Sequence, residues 1–187
     1  MLKNISLKMS LRATRGTHPK DGSSAAIYPK NLKLFFKGKA QLWPVFPKAI
    51  LELLISSGQP LKDKRMIVIA KSDIFGKTMQ KALEYEGVKG EYVLLDKLVQ
   101  NKIIISQADI IISACGSPGI ITGKMLKKGA IVIDGGISKR GKKIYGDVDF
   151  ESVKSVASFL SPVPGGVWPV TIACLLENVC EAGKMKK

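Results

Sequence analysis

Short and mostly apolar runs recur along this chain, and they constrain its fold more than any other feature. Met66–Ala70 is wholly apolar, and runs of similar length follow at residues 92–95, 108–114 and 130–133. Segments with apolar residues at helical spacing lie between or before them, at 47–58, 76–86 and near 122–126. A short run that is apolar on both faces is typical of a strand buried within a parallel sheet. The alternation predicts an α/β fold with a doubly wound, Rossmann-like parallel sheet, which a helix at 149–156, a strand at 158–160 and a helix at 170–182 complete.

Membrane insertion, disulfide bonding and metal binding are not expected. No apolar stretch reaches the ~18 residues that a membrane-spanning helix needs, and the clusters at 103–105 and 110–112 have the length of strands. The three cysteines, Cys115, Cys174 and Cys180, form neither a Cys-x-x-Cys pair nor a Cys/His cluster. A reducing compartment fits this cysteine usage.

The charge is concentrated at the N-terminus. Residues 1–40 hold nine Lys and Arg against one acid, Asp21, within a chain of net charge +15. Residues 1–20 contain basic, hydroxyl and apolar residues but no acid, a composition that resembles a mitochondrial transit peptide. A basic disordered tail, or an artificial start left by truncation of a longer gene, is the alternative. The sequence therefore predicts a short basic N-terminal extension and leaves a mitochondrial or a cytoplasmic location open.

A net charge of +15 also raises the possibility of nucleic-acid binding, because counterion release favours phosphate contacts by clustered cations. The basic residues after residue 40 are spread singly, aromatic residues make up only 6% of the chain, and no nucleic-acid motif is present. The basic run at 139–143 predicts a hairpin tip, and attraction of a polyanionic substrate tail is the alternative role for it. Nucleic acid is the least favoured partner.

In a parallel sheet the residues that follow each strand meet at one edge, where ligands bind. The turn after the first strand contains Ala70, Lys71, Ser72 and Gly76, and it enters a helix whose free N–H groups suit the pyrophosphate of a dinucleotide. An ordinary strand-to-helix turn is the alternative, since the turn lacks Gly-x-Gly-x-x-Gly. Asp96 follows the second strand, where an acid often binds the ribose hydroxyls of NAD and repels a 2′-phosphate; a solvated loop aspartate is the alternative.

Other catalytic arrangements are disfavoured. Tyr85 and Lys89 have a Tyr-x-x-x-Lys spacing, but they flank a helix end at Gly87, far from the predicted ligand edge. His18 is the only histidine, so no Ser/His/Asp or Cys/His set can be assembled after residue 20. A hydrolase with a nucleophilic triad is not expected.

Several motifs resemble one enzyme family. Residues 146–150 read Gly-Asp-Val-Asp-Phe, and residues 161–171 read Ser-Pro-Val-Pro-Gly-Gly-Val-Trp-Pro-Val-Thr. Segments 44–54, 114–119 and 132–137 agree in the same order along the chain. Together they resemble the bifunctional methylenetetrahydrofolate dehydrogenase/methenyltetrahydrofolate cyclohydrolase family over about residues 21–182.

The resemblance implies a nicotinamide-binding domain at 47–183, preceded by a remnant of the interdomain segment at 21–46. It implies oxidation of 5,10-methylenetetrahydrofolate with NADP or NAD, hydrolysis to 10-formyltetrahydrofolate, and a homodimer. Ala70, Lys71, Ser72, Gly76 and Asp96 would then hold the phosphate and ribose. The resemblance implies that Gly116 and Ile137 border the nicotinamide. It also implies a rim shared with folate, made of Pro164, Gly165, Gly166 and Thr171.

The chain also departs from the family's pattern. The Gly-Arg-Ser of the cofactor loop stands here as Ala70-Lys71-Ser72, and Asp96 lies near the position of a His-Ser pair. These changes favour NAD over NADP, with weakened binding of both cofactors as the alternative. Trp168 replaces a glycine where its ring would crowd the folate cleft. The family's catalytic Tyr-x-x-x-Lys pair has no counterpart in residues 1–40, although Asp21 resembles a substrate-contacting aspartate. A catalytically inactive member that serves as a dimerising or regulatory domain is therefore the alternative.

Overall fold

The computed structural model describes residues 29–184, so the predicted leader at 1–20 and Asp21 lie outside the described residues. The helices are α1 (Pro29–Phe36), α2 (Val45–Ser56), α3 (Asp73–Tyr85), α4 (Lys102–Ser106), α5 (Phe150–Val153) and α6 (Val167–Lys184). The strands are β1 (Met66–Ala70), β2 (Gly90–Leu94), β3 (Ile110–Ala114), β4 (Ile131–Asp134), β5 (Ser138–Arg140), β6 (Lys143–Tyr145) and β7 (Phe159–Leu160). Single 3₁₀ turns occur at Leu95–Lys97 and Gly123–Met125.

Five of these strands form one parallel sheet in the order β2-β1-β3-β4-β7, and β5 and β6 form a separate antiparallel ribbon. The register pairs Ala70 with both Leu94 and Ala114, so the first three strands end at the same level. The strand order reverses on either side of β1, which is the topology of a doubly wound α/β fold. The predicted fold class is confirmed.

The apolar runs form strands because both of their faces are covered. Every residue of β1 and β4 is buried, and Ile110, Ile111 and Ile112 of β3 are 0% exposed. Ile105, Ala108, Ile121, Leu126 and Val153 add to the core beside this sheet. β2 and β7 lie at the sheet edges and are only partly buried. The burial pattern thus explains why the central strands are mostly aliphatic.

The chain divides into two compact units, of which one comprises residues 49–170 and contains the whole parallel sheet. In the described part of the other unit, residues 29–48 and 171–184, Phe35 is 1% exposed and its ring lies edge-on to Trp43 with centroids 5.4 Å apart. Asn178 donates from Nδ2 to the carbonyl of Trp43 at 2.8 Å, and Lys48 pairs with Glu177 at 2.7 Å. The predicted domain limits at 21–46 and 47–183 stay predictions.

Some elements differ from those that the sequence predicts. The 103–105 cluster, although strand-sized, lies in the helix α4, and α1 was not expected. Helix α3 begins at Asp73 rather than at Gly76, because Ser72 caps it. Within residues 29–184, no helix combines the length and apolar character needed to cross a membrane.

Candidate functional site

The predicted ligand-binding residues follow neighbouring strands at the carboxyl edge of the sheet. Lys71 follows β1, and Gly116 comes two residues after the end of β3, whose Ala114 is in register with Ala70. Asp134 ends β4 opposite Ser113, which places residues 135–137 beside the loop that contains Gly116. This is the edge at which open α/β sheets bind their ligands.

Ser72 forms the N-cap of α3. Its backbone is extended, with φ −131° and ψ 144°, and its Oγ accepts a hydrogen bond from the N–H of Phe75 at 3.4 Å. Lys71 and Ser72 are both exposed. The 13-residue helix therefore begins with exposed polar groups at its positive end, an arrangement that suits an anion such as phosphate.

Gly76 serves close packing between α3 and β2. It is buried in the first turns of α3, and a Cβ at this position would overlap the ring of Tyr92. Tyr92 in turn donates from its hydroxyl to Oδ1 of Asp73 at 2.5 Å. A glycine that allows a helix to approach a strand is a recurrent part of dinucleotide-binding turns. Gly76 thus shapes the turn that contains Ser72, although its amide points into the helix toward the carbonyl of Ser72.

Asp73 adds a carboxylate to the first turn of α3, a position that the sequence analysis did not weigh. Lys77 contacts its Oδ2 at 2.5 Å and, with the Tyr92 hydroxyl, holds the pKa of Asp73 below its usual value. The same contact raises the pKa of Lys77. The charge of Asp73 is therefore balanced locally by Lys77, which lessens its repulsion of a phosphate at Ser72.

The residues predicted for the ribose and nicotinamide sides of a cofactor lie at the expected edge. Asp96 is exposed on the 3₁₀ turn that follows β2 directly, beside the exposed Lys97. Gly116 has φ +65°, which a residue with a side chain rarely adopts, and a Cβ built on it would lie 3.8 Å from the carbonyl oxygen of Ile137. The loop after β3 and the segment after β4 are therefore close neighbours.

Two buried aspartates lie beneath these segments, and sequence reasoning missed both. Asp134 is 3% exposed and accepts hydrogen bonds from the N–H groups of Gly136, Asp147 and Val148 at 2.9–3.0 Å. Asp147 is 0% exposed and accepts from the Ser113 hydroxyl at 2.8 Å and the N–H groups of Cys115 and Ser117 at 2.6 and 2.7 Å. The signal was present in the sequence as acids directly after a buried strand and within Gly-Asp-Val-Asp-Phe.

Burial raises the pKa of the Asp134 carboxyl from 3.8 to about 6, with its three N–H donors acting in the opposite direction. Because the folded-state pKa exceeds the unfolded one, the folded protein binds this proton more tightly, and stability from this group falls as pH rises from about 4 to about 6. We expect the Asp134 carboxyl to titrate near 6 by ¹³C NMR. A midpoint near 4, like that of an exposed aspartate, would contradict the prediction.

Cys115 is a buried thiol rather than a nucleophile. It is 2% exposed, and burial, followed by the nearby charge of Asp147, raises its pKa to about 11. Its Sγ donates weakly to the carbonyl of Ile69 at 3.4 Å. A thiol with this pKa is protonated at neutral pH and does not act as a thiolate nucleophile. Among residues 29–184, no group of three or more His, Cys, Asp and Glu side chains is placed to hold a metal ion.

A cavity of about 430 Å³ opens at the carboxyl end of β4. Pro118, Tyr145, Phe150 and Val163 contribute apolar walls, and Asp134 contributes a carboxyl group. This volume falls in the range of small-molecule sites. The cavity shows that the same sheet edge has room for a ring-sized group.

Three of the four residues predicted for a folate rim lie in the segment between β7 and α6. Pro164 and Gly165 are exposed, whereas Gly166 is buried and donates from its N–H to the carbonyl of Pro162 at 2.8 Å. Trp168 is 56% exposed in the first turn of α6. Thr171, the fourth predicted rim residue, lies further along α6 and belongs to the other compact unit.

The chain resembles known proteins over most of its length. The family profile described as "Tetrahydrofolate dehydrogenase/cyclohydrolase, NAD(P)-binding domain" matches residues 44–187. "Bifunctional protein FolD" of Caldanaerobacter subterraneus is 41% identical over 154 residues, which are 82% of this chain and 55% of that protein. "Bifunctional protein FolD 2" of Arabidopsis thaliana is 39% identical over 170 residues, with 84% and 56% covered. The chain thus spans little more than half the length of these curated relatives.

Solved structures agree with the sequence comparison. The bifunctional FolD enzyme from Campylobacter jejuni superposes with a TM-score of 0.77 at 35% identity, covering 86% of this chain and 57% of that one. The Trypanosoma brucei enzyme, described as complexed with NADP cofactor and inhibitor, gives a TM-score of 0.77 at 27% identity, covering 96% and 71%.

Proposed function

Since this chain belongs to the tetrahydrofolate dehydrogenase/cyclohydrolase family through its NAD(P)-binding domain, we propose that it binds NAD(P) along the carboxyl edge of its sheet. We propose further that it serves the folate-linked reaction of that family, oxidation of 5,10-methylenetetrahydrofolate and hydrolysis of the methenyl product. The observation that carries the proposal is the capped, exposed N-terminus of α3 at the strand-order reversal, in a chain that matches this domain over residues 44–187.

The residues at this edge fit a dinucleotide. The N-terminal amides of α3, with Ser72 and Lys71, would bind the phosphates through hydrogen bonds and charge. Asp96 would accept from the ribose hydroxyls, and Gly116 with Ile137 would border the nicotinamide. Lys71 supplies a point charge where the family has a planar arginine, so its phosphate contact would be less directional.

The cofactor, when bound, supplies a hydride acceptor for the one-carbon unit of the folate. The contribution of this chain would be to orient the nicotinamide ring and to border the folate at Pro164, Gly165 and Gly166. Trp168 enlarges that border where the family has glycine, and its exposure leaves its ring free to contact a bound pterin or to narrow the entrance.

Calorimetric titration of the purified chain with NAD and with NADP tests the proposal. We expect saturable binding of at least one dinucleotide with a dissociation constant below about 1 mM. Binding of neither would contradict the proposal and would favour a noncatalytic family member that keeps the fold as a dimerising or regulatory domain.

We propose NAD as the preferred cofactor, because the Asp96 carboxylate would repel the 2′-phosphate of NADP. Asp96→Asn removes this charge, and we expect the ratio of NADP to NAD affinity to rise about tenfold, which corresponds to about 1.4 kcal/mol. Titration of the variant with both cofactors measures the ratio. Glu91→Gln is the matched control, since Glu91 is an exposed acid near the opposite end of β2. An equal shift in both variants would contradict a specific role for Asp96.

A homodimer is also a proposal, which the family resemblance implies. Its structural support is the β5–β6 ribbon, which lies outside the parallel sheet and exposes Ile144 and Tyr145 by 43% and 41%. Exposed apolar groups on a short antiparallel ribbon are available for burial against a second copy.

A further inference from the structure

The carboxyl group of Asp147 lies between the two backbone segments that border the nicotinamide side. On one side it accepts three hydrogen bonds from the end of β3 and the loop that follows, through Ser113, Cys115 and Ser117. On the other side it touches Gly136, where a Cβ would overlap the Asp147 carboxyl group. Gly116 lies within the first of these segments, and Ile137 directly follows Gly136.

Asp134 extends this contact to the second segment. The backbone N–H of Asp147 donates to Oδ1 of Asp134 at 3.0 Å, and the same oxygen accepts from Gly136 at 2.9 Å. A Cβ on Gly146 would overlap Oδ2 of Asp134, so the chain before Asp147 must also approach this carboxyl group closely. The two side chains therefore hold residues 113–117, 134–136 and 146–148 in one hydrogen-bonded arrangement.

A loop of this kind needs an external support. The backbone of Gly116 has φ +65°. Its loop leaves the sheet directly after β3, where the hydrogen bonds between strands end. Both oxygens of Asp147 are used in the support, Oδ1 by Ser117 and Oδ2 by Ser113 and Cys115. Hydrogen bonds from several donors to a buried carboxylate are strong and directional, so the loop has one preferred position.

Asp147 is fully buried, and it therefore has no exposed surface with which to contact a ligand. Building on the proposed cofactor binding, we propose that Asp147 is a positioning residue for the nicotinamide half of the dinucleotide. It acts through the backbone of Cys115–Ser117 and Gly136, by fixing the distance between Gly116 and Ile137. The phosphate and adenosine half, at Ser72 and Asp96, does not depend on it.

The test compares a whole dinucleotide with its adenosine half. Asp147→Asn keeps the size of the side chain but turns an amide N–H₂ toward groups that are themselves donors. We expect Asp147→Asn to weaken binding of the preferred dinucleotide at least tenfold and binding of ADP less than twofold, both measured by calorimetry. A purely structural role would weaken the two ligands alike.

Asp109→Asn is the matched control. Asp109 precedes the same strand at its other end and accepts from the N–H of Arg65 at 3.0 Å and from Lys127 at 2.6 Å. This variant also loses a hydrogen-bonded carboxylate, and its ratio of dinucleotide to ADP affinity should stay that of the wild type. A changed ratio in Asp109→Asn, or an unchanged ratio in Asp147→Asn, would overturn the assignment.

A second variant tests the proposal if Asp147→Asn does not fold. Ser113→Ala removes one of the three donors, and we expect a smaller change in the same direction, about threefold for the dinucleotide with ADP binding retained. If Asp147→Asn does not fold, a dinucleotide affinity of Ser113→Ala equal to that of the wild type would also overturn the assignment of Asp147. Failure of the wild type to bind either NAD or NADP is a different result, because it contradicts the proposed cofactor binding itself.

Discussion

Ser72→Asp should abolish dinucleotide binding while leaving the fold intact. An added carboxylate at the N-cap of α3 would stand within about 4 Å of the bound phosphate, where two like charges near a protein surface repel by roughly 4 kcal/mol. We therefore expect affinity for NAD and NADP to fall at least 100-fold in calorimetric titrations.

The melting temperature of Ser72→Asp should stay within about 2 °C of the wild type. Aspartate and serine are similarly good N-caps, and a negative charge at a helix N-terminus is favourable. The new carboxylate would accept from the Phe75 N–H, as the Ser72 hydroxyl does at 3.4 Å. Ser72→Asp is therefore expected to lose cofactor affinity without losing thermal stability.

Ser155→Asp is the matched control for charge. Ser155 is exposed after α5, and its neighbour Val156 accepts from the Gly129 N–H at 2.8 Å, next to the start of β4. It therefore lies at the opposite edge of the sheet, and the added charge should leave cofactor affinity within twofold of the wild type. Retained binding in Ser72→Asp, or a comparable loss in Ser155→Asp, would contradict the phosphate assignment.

The sheet was predictable from the sequence because its central strands are buried on both faces. Met66–Ala70 and the 110–112 cluster have no polar side, and their alternation with helical segments indicates a parallel sheet covered by helices. The carboxyl edge followed from the same inference, since strands that run parallel have their carboxyl ends at the same edge of the sheet. This is why the sequence predicts that Lys71, Asp96 and Gly116 lie at one edge of the sheet.

The parts that escaped prediction depend on contacts between residues distant in the chain. Asp147 accepts from Ser113, 34 positions earlier, and Tyr92 reaches Asp73 across 19 positions. The local sequence marks Asp147 as an acid within Gly-Asp-Val-Asp-Phe, but it does not specify the partner of either side chain, because that partner lies far away along the chain. Gly76 illustrates a mixed case: its place in the turn was recognised, but its contact with the Tyr92 ring required the structure.

The 103–105 cluster shows the limit of a short apolar run as evidence. Three consecutive isoleucines favour a strand by propensity, yet the run lies in the helix α4. Ala108, two residues after the end of this helix, is buried just before β3 begins. A run of three residues is too short for periodicity to separate a helix from a strand. Burial distinguishes them, since Ile105 is 0% exposed and Ile103 is 72% exposed.

Ile105→Ala should therefore destabilise the protein far more than Ile103→Ala. In a strand, residues two apart lie on the same face and would be buried alike, whereas in a helix they lie on different faces. We expect Ile105→Ala to lower the free energy of unfolding by about 2–4 kcal/mol, because it leaves a cavity in the core beside the sheet.

Ile103→Ala is the internal control, and its effect should be within about 0.5 kcal/mol of zero, since alanine also has the higher helix propensity. Urea denaturation of both variants, analysed at a common slope, measures the difference. Similar losses in the two variants would place both side chains on one buried face and would contradict the helical assignment of α4. A large loss of stability in Ile105→Ala alone would show that this short helix belongs to the core that supports β3. β3 in turn contains Ser113, which contacts Asp147 beneath the loop at Gly116.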